Sequence, residues 1–187
     1  MPKQLSGLPW VVKFPTSRST DDLTEPFRSN CKKFVAAMQA AGANVTIAAT
    51  LRPQQRAYLM HWSFRIAKEL FDPELVPGMD GVDIGWVHRD TMGRVLLAES
   101  RDAAAMMVTG FVIVFRPALT SRHSEGNAID MGIFWTTPEL KIKNASGSEV
   151  IISGAKSGSN SGLQKVGKSY GVLKLVTDPP HWSNDGH

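Results

Sequence analysis

The chain has 187 residues, of which 42% are hydrophobic and 20% are charged, and its formal net charge is +4. A chain of this length and composition can bury a core without disulfide bonds, and its single cysteine excludes an internal disulfide and a cysteine-based zinc site. The apolar runs are too short to span a bilayer, so we expect no stable membrane insertion. A sequence pI of about 9.3 favours anionic partners without identifying one.

The N-terminal sequence lacks the long apolar segment of a secretory signal peptide. We therefore expect synthesis in the cytoplasm, and the length predicts a single domain over residues 1–187. Residues 1–20 are predicted to be irregular because prolines recur in them. A first helix is predicted over residues 24–42, where apolar residues recur at helical spacing, followed by a strand over 45–50 and a second helix over 53–71.

Loops and short strands dominate the rest of the predicted structure. Residues 72–90 are predicted to be loop, because prolines and glycines are frequent there. Residues 94–109 are predicted to form a third helix. The five consecutive apolar residues at 111–115 predict a buried strand, and another strand is predicted over 128–135.

The C-terminal part completes the predicted fold class. Short strands are predicted over 139–142 and 149–152, and a short helix over 163–170. The stretch 154–162 is rich in Gly, Ser and Asn, which predicts a mobile loop that contributes nothing to a core. Helices come early and strands cluster late, so the predicted class is α+β with a small, mostly antiparallel sheet flanked by helices.

Two short motifs carry most of the functional information. The first is Ser121–Asp130, with the sequence SRHSEGNAID, and the second is Asp178–Trp182, with the sequence DPPHW. Together they offer His123, Asp130 and His181 as metal ligands. Two imidazoles and one carboxylate suit zinc, and three protein ligands leave the fourth position open, as in catalytic zinc sites.

The spacing within the first motif predicts a strand–loop–strand arrangement. His123 and Asp130 are seven residues apart, which is too far for one or two turns of a helix, and Gly126 permits the chain to turn back. His181 then has to come from a third segment. The alternative is that His123 is a surface-loop histidine and Asp130 a turn residue. His61 and His88 are predicted to lie outside the metal site.

The first motif, read as Ser-x-His-x-x-Gly-x-Ala-x-Asp, resembles the metal-binding signature of the zinc D-Ala-D-Ala carboxypeptidases and phage endolysin peptidases. The second motif resembles the other half of that signature. These VanY/VanX-like peptidases share the hedgehog/DD-peptidase fold, and the similarity spans about residues 30–185. The resemblance implies a Zn2+ site on the sheet, with His123, Asp130 and His181 as ligands and Asp178 as the general base.

The second motif departs from the usual signature, which has Glu where this chain has Asp178. Aspartate is one methylene shorter, so its carboxylate has to be brought closer to reach the reacting water. The two prolines between Asp178 and His181 stiffen this segment. They can fix the distance between base and ligand, or simply make the loop rigid.

The resemblance also implies substrate-binding residues. An arginine near the position of Arg52 holds a substrate carboxylate or polarises the scissile carbonyl in such peptidases, and Gln55 is a plausible partner. Arg52 can instead be a surface arginine at a helix start. Ser121 is predicted to bind near the metal or the substrate, or to form the turn. Trp182 is predicted to be a wall or core residue before a substrate contact.

The sequence thus predicts a zinc-dependent peptidase that acts on peptidoglycan stem peptides as an L-Ala-D-Glu endopeptidase or a D-Ala-D-Ala carboxypeptidase. We expect a monomer that reaches the cell wall by holin-type release if it is an endolysin. The first alternative is a non-catalytic, zinc-containing domain that binds the cell wall. The second is a basic nucleic-acid-binding protein; we expect no nucleic acid, since no run of Lys and Arg exceeds two residues.

Overall fold

The computed structural model describes residues 3–187, so the first two residues of the predicted irregular segment lie outside it. The fold is α+β, with four α-helices and mostly antiparallel strands in the described residues, as the sequence predicts. The chain divides into two compact units. One comprises Pro53–Thr120 with the chain up to Pro15, and the other comprises Thr16–Arg52 and Ser121–His187. The single-domain organisation stays a prediction.

The first unit is built on two helices, α2 (Gln54–Lys68) and α3 (Leu97–Gly110). Both confirm predicted helices, with ends shifted by a few residues. A short parallel pair joins β1 (Gln4–Leu5) to β3 (Ile84–Gly85). Apolar side chains at helical spacing meet in one cluster and form the core of this unit. Its buried members are Trp10, Tyr58, Leu59, Trp62, Ile66, Val82, Ile84, Trp86, Ala104, Met107 and Phe111.

The strand predicted over residues 111–115 is wrong. Helix α3 ends at Gly110, and the chain then turns, with Val112 in the left-handed region at a φ of 57°. Phe111 is buried in the core and Ile113 packs partly against it, whereas Phe115 is 83% exposed. A short apolar run specifies a strand only when a neighbouring strand pairs with it, and none pairs with this run in residues 3–187.

The second unit contains a four-stranded antiparallel sheet in the order β2–β4–β8–β7. Its strands are β2 (Asn44–Ala49), β4 (Ala128–Phe134), β7 (Leu173–Lys174) and β8 (His181–Ser183). Helix α1 (Phe27–Ala40) packs on this sheet through its apolar stripe. The helix predicted over 24–42 and the strands predicted over 45–50 and 128–135 are confirmed.

A hairpin and a short helix complete the second unit. Strands β5 (Leu140–Lys143) and β6 (Glu149–Ile152) pair in antiparallel register, and α4 (Ser161–Ser169) follows. All three confirm predicted elements. The core of this unit joins α1, the sheet, the hairpin and α4. Its buried members are Leu23, Phe27, Cys31, Phe34, Met38, Ala43, Ile129, Met131, Ile133, Trp135, Leu140, Ile142, Ile152, Leu163, Val166, Val172 and Trp182.

The Gly/Ser/Asn-rich stretch 154–162 is more integrated than its composition predicts. Asn160 accepts hydrogen bonds from the backbone N–H groups of Gly162 and Leu163 and so caps α4. Its amide nitrogen donates to the backbone carbonyls of Ser153 and Ala155. Both Gly158 and Asn160 are buried, so the expectation that the stretch contributes nothing to a core is wrong for these two residues. Its mobility stays a prediction.

Strand β4 has one face in the core and one face outward, because side chains alternate along a strand. Ile129, Met131 and Ile133 are buried. Asp130, Gly132 and Phe134 alternate with them on the outer face. This alternation places the carboxylate of the first motif on the outer face of the sheet.

No α-helix within residues 3–187 is both long enough and apolar enough to cross a bilayer.

Candidate metal centre

His123 belongs to the second unit. It lies in the tight turn that runs from Ser121 to strand β4. The backbone carbonyl of His123 accepts hydrogen bonds from the N–H groups of Arg52 at 2.9 Å and Gly126 at 3.3 Å. Gly126 has a φ of 71°, and a Cβ there would come within 3.1–3.2 Å of Thr24. A glycine is therefore required at this position, which lets the chain return from His123 into β4.

Asp130 and His181 are brought together by the sheet itself. They are direct partners in the antiparallel pairing of β4 with β8. The side chains of directly paired residues lie on the same face and close together. The two motifs, 48 or more residues apart in sequence, therefore meet because their strands are neighbours.

The three side chains predicted as ligands converge on one point. His123 Nε2 lies 3.1 Å from Asp130 Oδ1 and 3.2 Å from His181 Nδ1, and His181 Nδ1 lies 3.1 Å from Asp130 Oδ1. The two imidazole rings are nearly perpendicular, with centroids 4.9 Å apart and an interplanar angle of 75°. This His123–Asp130–His181 group could hold a metal ion.

The remaining ring nitrogens of the two histidines are held by backbone carbonyls. His123 Nδ1 lies 2.6 Å from the carbonyl oxygen of Thr50, and His181 Nε2 lies 3.1 Å from that of His187. A carbonyl only accepts, so both nitrogens carry the proton. In the neutral imidazoles, Nε2 of His123 and Nδ1 of His181 then present lone pairs. Metal-ligating histidines are commonly oriented in this way.

Three lone-pair atoms at this separation repel one another unless a cation lies among them. In a tetrahedral site with bonds of about 2.0–2.1 Å, two ligand atoms lie about 3.3–3.4 Å apart. The three observed separations of 3.1–3.2 Å are close to that edge length. The donor set, its spacing and the orientation of the rings all fit a metal ion with three protein ligands.

The close approach of the three side chains also shifts the pKa values of Asp130 and His181. Burial alone would raise the pKa of the Asp130 carboxyl, but hydrogen bonds and positive charge from His123 and His181 outweigh it and hold that pKa below its ordinary value. Burial opposes protonation of His181, yet the hydrogen bond and charge of Asp130 raise the pKa of His181. The negative charge of Asp130 thus favours a positive charge on His181.

The group is buried on its histidine side and open on its carboxylate side. The side chains of His123 and His181 are 6% and 10% exposed, whereas the Asp130 side chain is 21% exposed. A ligand arriving from solvent therefore meets the carboxylate edge first. An opening of this kind is what a fourth, exchangeable coordination position needs.

Asp178 lies in the exposed turn that leads into β8. Its backbone carbonyl accepts from the N–H of His181 at 3.1 Å. Its carboxylate makes no hydrogen bond within residues 3–187, so it is free to bind another group. Its negative charge contributes to the raised pKa of His181, which shows that it lies within electrostatic range of the group.

Lys174 is a site residue that sequence reasoning missed. Its Nζ donates to the carbonyl oxygens of Leu175, of Asp178 at 2.5 Å and of His181 at 3.0 Å. Burial lowers the pKa of the Lys174 amine, while the charges of Asp178 and Asp130 oppose that shift. The Lys174 amine thus holds both ends of the turn that carries the predicted base Asp178 and the predicted ligand His181.

The carbonyls of Thr50 and His187 were also missed, because a backbone acceptor leaves no residue-type signal. Lys174 has a weak signal in the sequence, as the one basic residue shortly before the second motif. Only the pairing of β7 with β8 brings its amine back over the turn.

Arg52 is partly buried and interacts with the group through charge. Burial lowers the pKa of its guanidinium, and the negative charge of Asp130 opposes that shift. Its backbone N–H, bonded to the carbonyl of His123, ties it to the same turn. The structure therefore brings Arg52 near the candidate centre, while its contact with a substrate stays a prediction.

The other three predicted substrate contacts have different positions. The Ser121 hydroxyl accepts a 3.3 Å hydrogen bond from the N–H of Ser124 and so shapes the turn. Gln55 lies in the first turn of α2, which belongs to the other compact unit. Trp182 is 0% exposed and packs against Phe34 with ring centroids 5.5 Å apart, so it is a core residue without surface for a substrate.

Comparisons with known proteins add no further assignment. No family model matches the chain, and none of the curated proteins matches it significantly. The functional argument therefore depends on the residues of the candidate centre.

Proposed function

We propose that this protein is a zinc-dependent peptidase that hydrolyses an amide bond in peptidoglycan stem peptides. The observation that carries the proposal is the convergence of His123, Asp130 and His181, with lone-pair atoms 3.1–3.2 Å apart and a partly exposed carboxylate. Zinc fits best, because two imidazoles and one carboxylate are its usual ligands in catalytic sites. A fold of the hedgehog/DD-peptidase type is part of the same proposal.

Zinc in such a site acts as a Lewis acid and lowers the pKa of water. The chain's own residues have separate tasks. Thr50 and His187 fix the ring orientation of the two histidines through their carbonyls. Asp130 contributes one negative charge, which leaves the centre net positive when a divalent ion is bound.

Asp178 is proposed as the general base. Its carboxylate is exposed and has no hydrogen-bond partner in the described part of the chain, so it can accept a proton and pass it to the leaving amine. Lys174 holds the backbone of its turn in place. The turn is further stiffened by Pro179 and Pro180, which limit the positions that the shorter carboxylate can adopt.

Arg52 is proposed to bind a carboxylate of the stem peptide or to neutralise charge that develops on the scissile carbonyl. Its guanidinium already responds to the charge of Asp130, so it lies in the electrostatic field of the centre. Arginine forms paired hydrogen bonds with carboxylates, which suits a substrate that carries free carboxyl groups. The cell wall, reached by holin-type release, is the proposed place of action.

Digestion of purified peptidoglycan tests this function. The zinc-loaded protein is incubated with peptidoglycan, and the soluble fragments are analysed by mass spectrometry beside an EDTA-treated sample. We expect new amino termini within the stem peptides that are absent after EDTA treatment, and their position identifies the bond that is cleaved. Intact peptidoglycan in the presence of stoichiometric protein-bound zinc would contradict the proposal and favour a non-catalytic domain that binds the cell wall.

A further inference from the structure

Asp185 is a partly exposed carboxylate that binds groups from two separate segments of the second unit. Its Oδ2 atom accepts a hydrogen bond from Nη2 of Arg122, the residue directly before the ligand candidate His123. Its Oδ1 atom accepts from the hydroxyl of Ser183 and from the N–H of His187, both at 3.2 Å. Asp185 therefore connects the turn of the first motif to the chain that follows the second motif.

The chain after β8 folds back and reaches the ring of His181. Gly186 has a φ of 83°, which is in the left-handed region, and its N–H donates to the hydroxyl of Ser183 at 2.8 Å. This turn places the carbonyl oxygen of His187 3.1 Å from Nε2 of His181. His187 thus donates its N–H to Asp185 and accepts the Nε2 proton of His181.

The position of His187 depends on few contacts. It follows the last strand by four residues and belongs to no helix or strand. Within residues 3–187, its N–H donates only to Asp185, and its ring makes no hydrogen bond. A residue outside regular secondary structure is fixed by such contacts alone, so the carbonyl that supports His181 depends on the Asp185 carboxylate.

The charge of Asp185 is secured by Arg122. The hydrogen bond from Arg122 holds the pKa of the Asp185 carboxyl below its ordinary value, so the group is ionised at neutral pH. Arg122 also donates to Oε2 of Glu125 at 2.7 Å, within its own turn. Two carboxylates thus share one arginine, but only Asp185 continues to His187 and His181.

We infer that Asp185 is a positioning residue of the candidate metal centre and acts on His181 through His187. Its carboxylate fixes the His187 carbonyl, which keeps the proton on Nε2 of His181 and leaves Nδ1 as the lone pair for a metal. Its second bond, to Arg122, holds the turn that carries His123. The inference rests on the metal centre of the proposed function, to which it adds a residue outside both motifs.

The zinc affinity of Asp185→Ala tests the inference, with Glu125→Ala as the matched control. Both variants remove a carboxylate from the same arginine, but Glu125 makes no hydrogen bond to residues 183–187. We expect Asp185→Ala to weaken zinc binding by about 10- to 100-fold, as when a ligating histidine loses its outer hydrogen-bond partner. Glu125→Ala should bind zinc like the wild type. If Asp185→Ala fails to fold, Asp185→Asn, which keeps the side-chain shape, takes its place.

NMR of the imidazole protons separates positioning from a general loss of structure. In the zinc-loaded, 15N-labelled protein, we expect protected protons on Nε2 of His181 and on Nδ1 of His123, which is bonded to Thr50. Asp185→Ala should speed the exchange of the His181 proton with water and leave the His123 proton unchanged. Equal acceleration of both protons would overturn the inference, because Asp185 would then act on the whole fold.

Neither measurement depends on cleavage of a substrate. Weaker zinc binding together with faster exchange at His181 supports the inference even if the wild-type protein leaves peptidoglycan intact, in which case only the peptidase function fails. An unchanged zinc affinity or an unchanged exchange rate at His181 in Asp185→Ala overturns the inference and leaves a cleaving wild type as a peptidase. A wild-type protein that binds no zinc overturns both.

Discussion

Asp130 and His181 face each other as direct partners on neighbouring antiparallel strands, with Oδ1 and Nδ1 3.1 Å apart. Their contact is fixed by backbone pairing and not by a flexible loop. Only His123, the third member of the group, comes from a turn, and that turn is fastened to Thr50 and Arg52. Such preorganisation favours metal binding because few side chains have to be ordered when the ion arrives.

Removal of the Asp130 carboxylate should strongly weaken metal binding. We expect Asp130→Ala to weaken zinc binding by more than the roughly 10- to 100-fold that follows loss of an outer hydrogen-bond partner of a ligand. Zinc affinity is measured by competition with a chromogenic chelator. His88→Ala is the matched control, since His88 lies in the other compact unit and its ring contacts Ser6. Equal zinc affinity in the Asp130 variant and the wild type would show that the ion binds elsewhere.

The zinc affinity should rise with pH near neutrality. The pKa of His181 is raised, so a proton competes with the metal for Nδ1 until the pH exceeds that raised value. Release of one proton gives up to about a tenfold gain in affinity per pH unit in this range. The affinity is measured by chelator competition between pH 5.5 and 8.5. A flat profile would contradict the use of His181 as a ligand.

The metal-free protein should show the opposite trend in stability. The raised pKa of His181 contributes stability that is fully present below its unfolded value of 6.5 and is lost as the pH rises through the folded value. The lowered pKa of Asp130 contributes stability that is present above 3.8 and is lost as the pH falls through the folded value. Thermal unfolding in EDTA should therefore show the pair's largest stabilisation between these two pH values. An unchanged Tm of the Asp130→Asn variant in EDTA within that pH range would contradict a stabilising interaction between Asp130 and His181.

Asp178→Asn should separate catalysis from metal binding. Loss of a general base costs about 10²- to 10⁴-fold in rate. We therefore expect kcat for a synthetic peptidoglycan stem peptide to fall by that amount while zinc stoichiometry is unchanged. Asp178→Glu restores a carboxylate and should recover most of the activity. Full activity of the asparagine variant would mean that another group accepts the proton.

Lys174→Met should loosen the turn that carries Asp178 and His181. The variant loses charge-assisted hydrogen bonds to three carbonyls, which corresponds to about 1–3 kcal/mol in the free energy of unfolding. Both stability and zinc affinity should fall. Lys165→Met, an exposed lysine of α4, is the control and should unfold like the wild type. Identical denaturation curves for the two variants would show that Lys174 does not fasten the turn.

Cys31 should not react while the protein is folded. Burial raises the pKa of its thiol, so the reactive thiolate is not formed near neutral pH. We expect one equivalent of thiol to react with Ellman's reagent at pH 8 in guanidinium chloride and almost none in buffer. Rapid labelling of the native protein would contradict the position of Cys31 in the core.

The candidate ligands could be predicted from the sequence because His and Asp are residue types that commonly bind metals. His123, Asp130 and His181 stand in two recognisable motifs, and Gly126 signals the turn between the first two. The strand that carries Asp130 is also clear, since a long apolar segment surrounds it. The outer-face position of Asp130 then follows from alternation along β4.

Other features could not be read from the sequence because they depend on tertiary pairing. Lys174 reaches the turn only because β7 pairs with β8. The Thr50 carbonyl that orients His123 is a backbone group, so no sequence motif predicts its role. Trp182 stands beside a ligand in sequence but points into the core. The run 111–115 has strand composition but no strand to pair with in the described residues, so it follows α3 as a turn that is exposed beyond Ile113.

The central claim is that these three side chains form a metal centre. A crystal structure of the zinc-loaded protein, with anomalous difference maps recorded on both sides of the zinc absorption edge, tests it most directly. We predict one strong peak about 2.0–2.2 Å from His123 Nε2, His181 Nδ1 and Asp130 Oδ1, with a fourth position open to solvent. An anomalous peak bound by other residues, or no peak in crystals of protein with stoichiometric zinc, would contradict the claim.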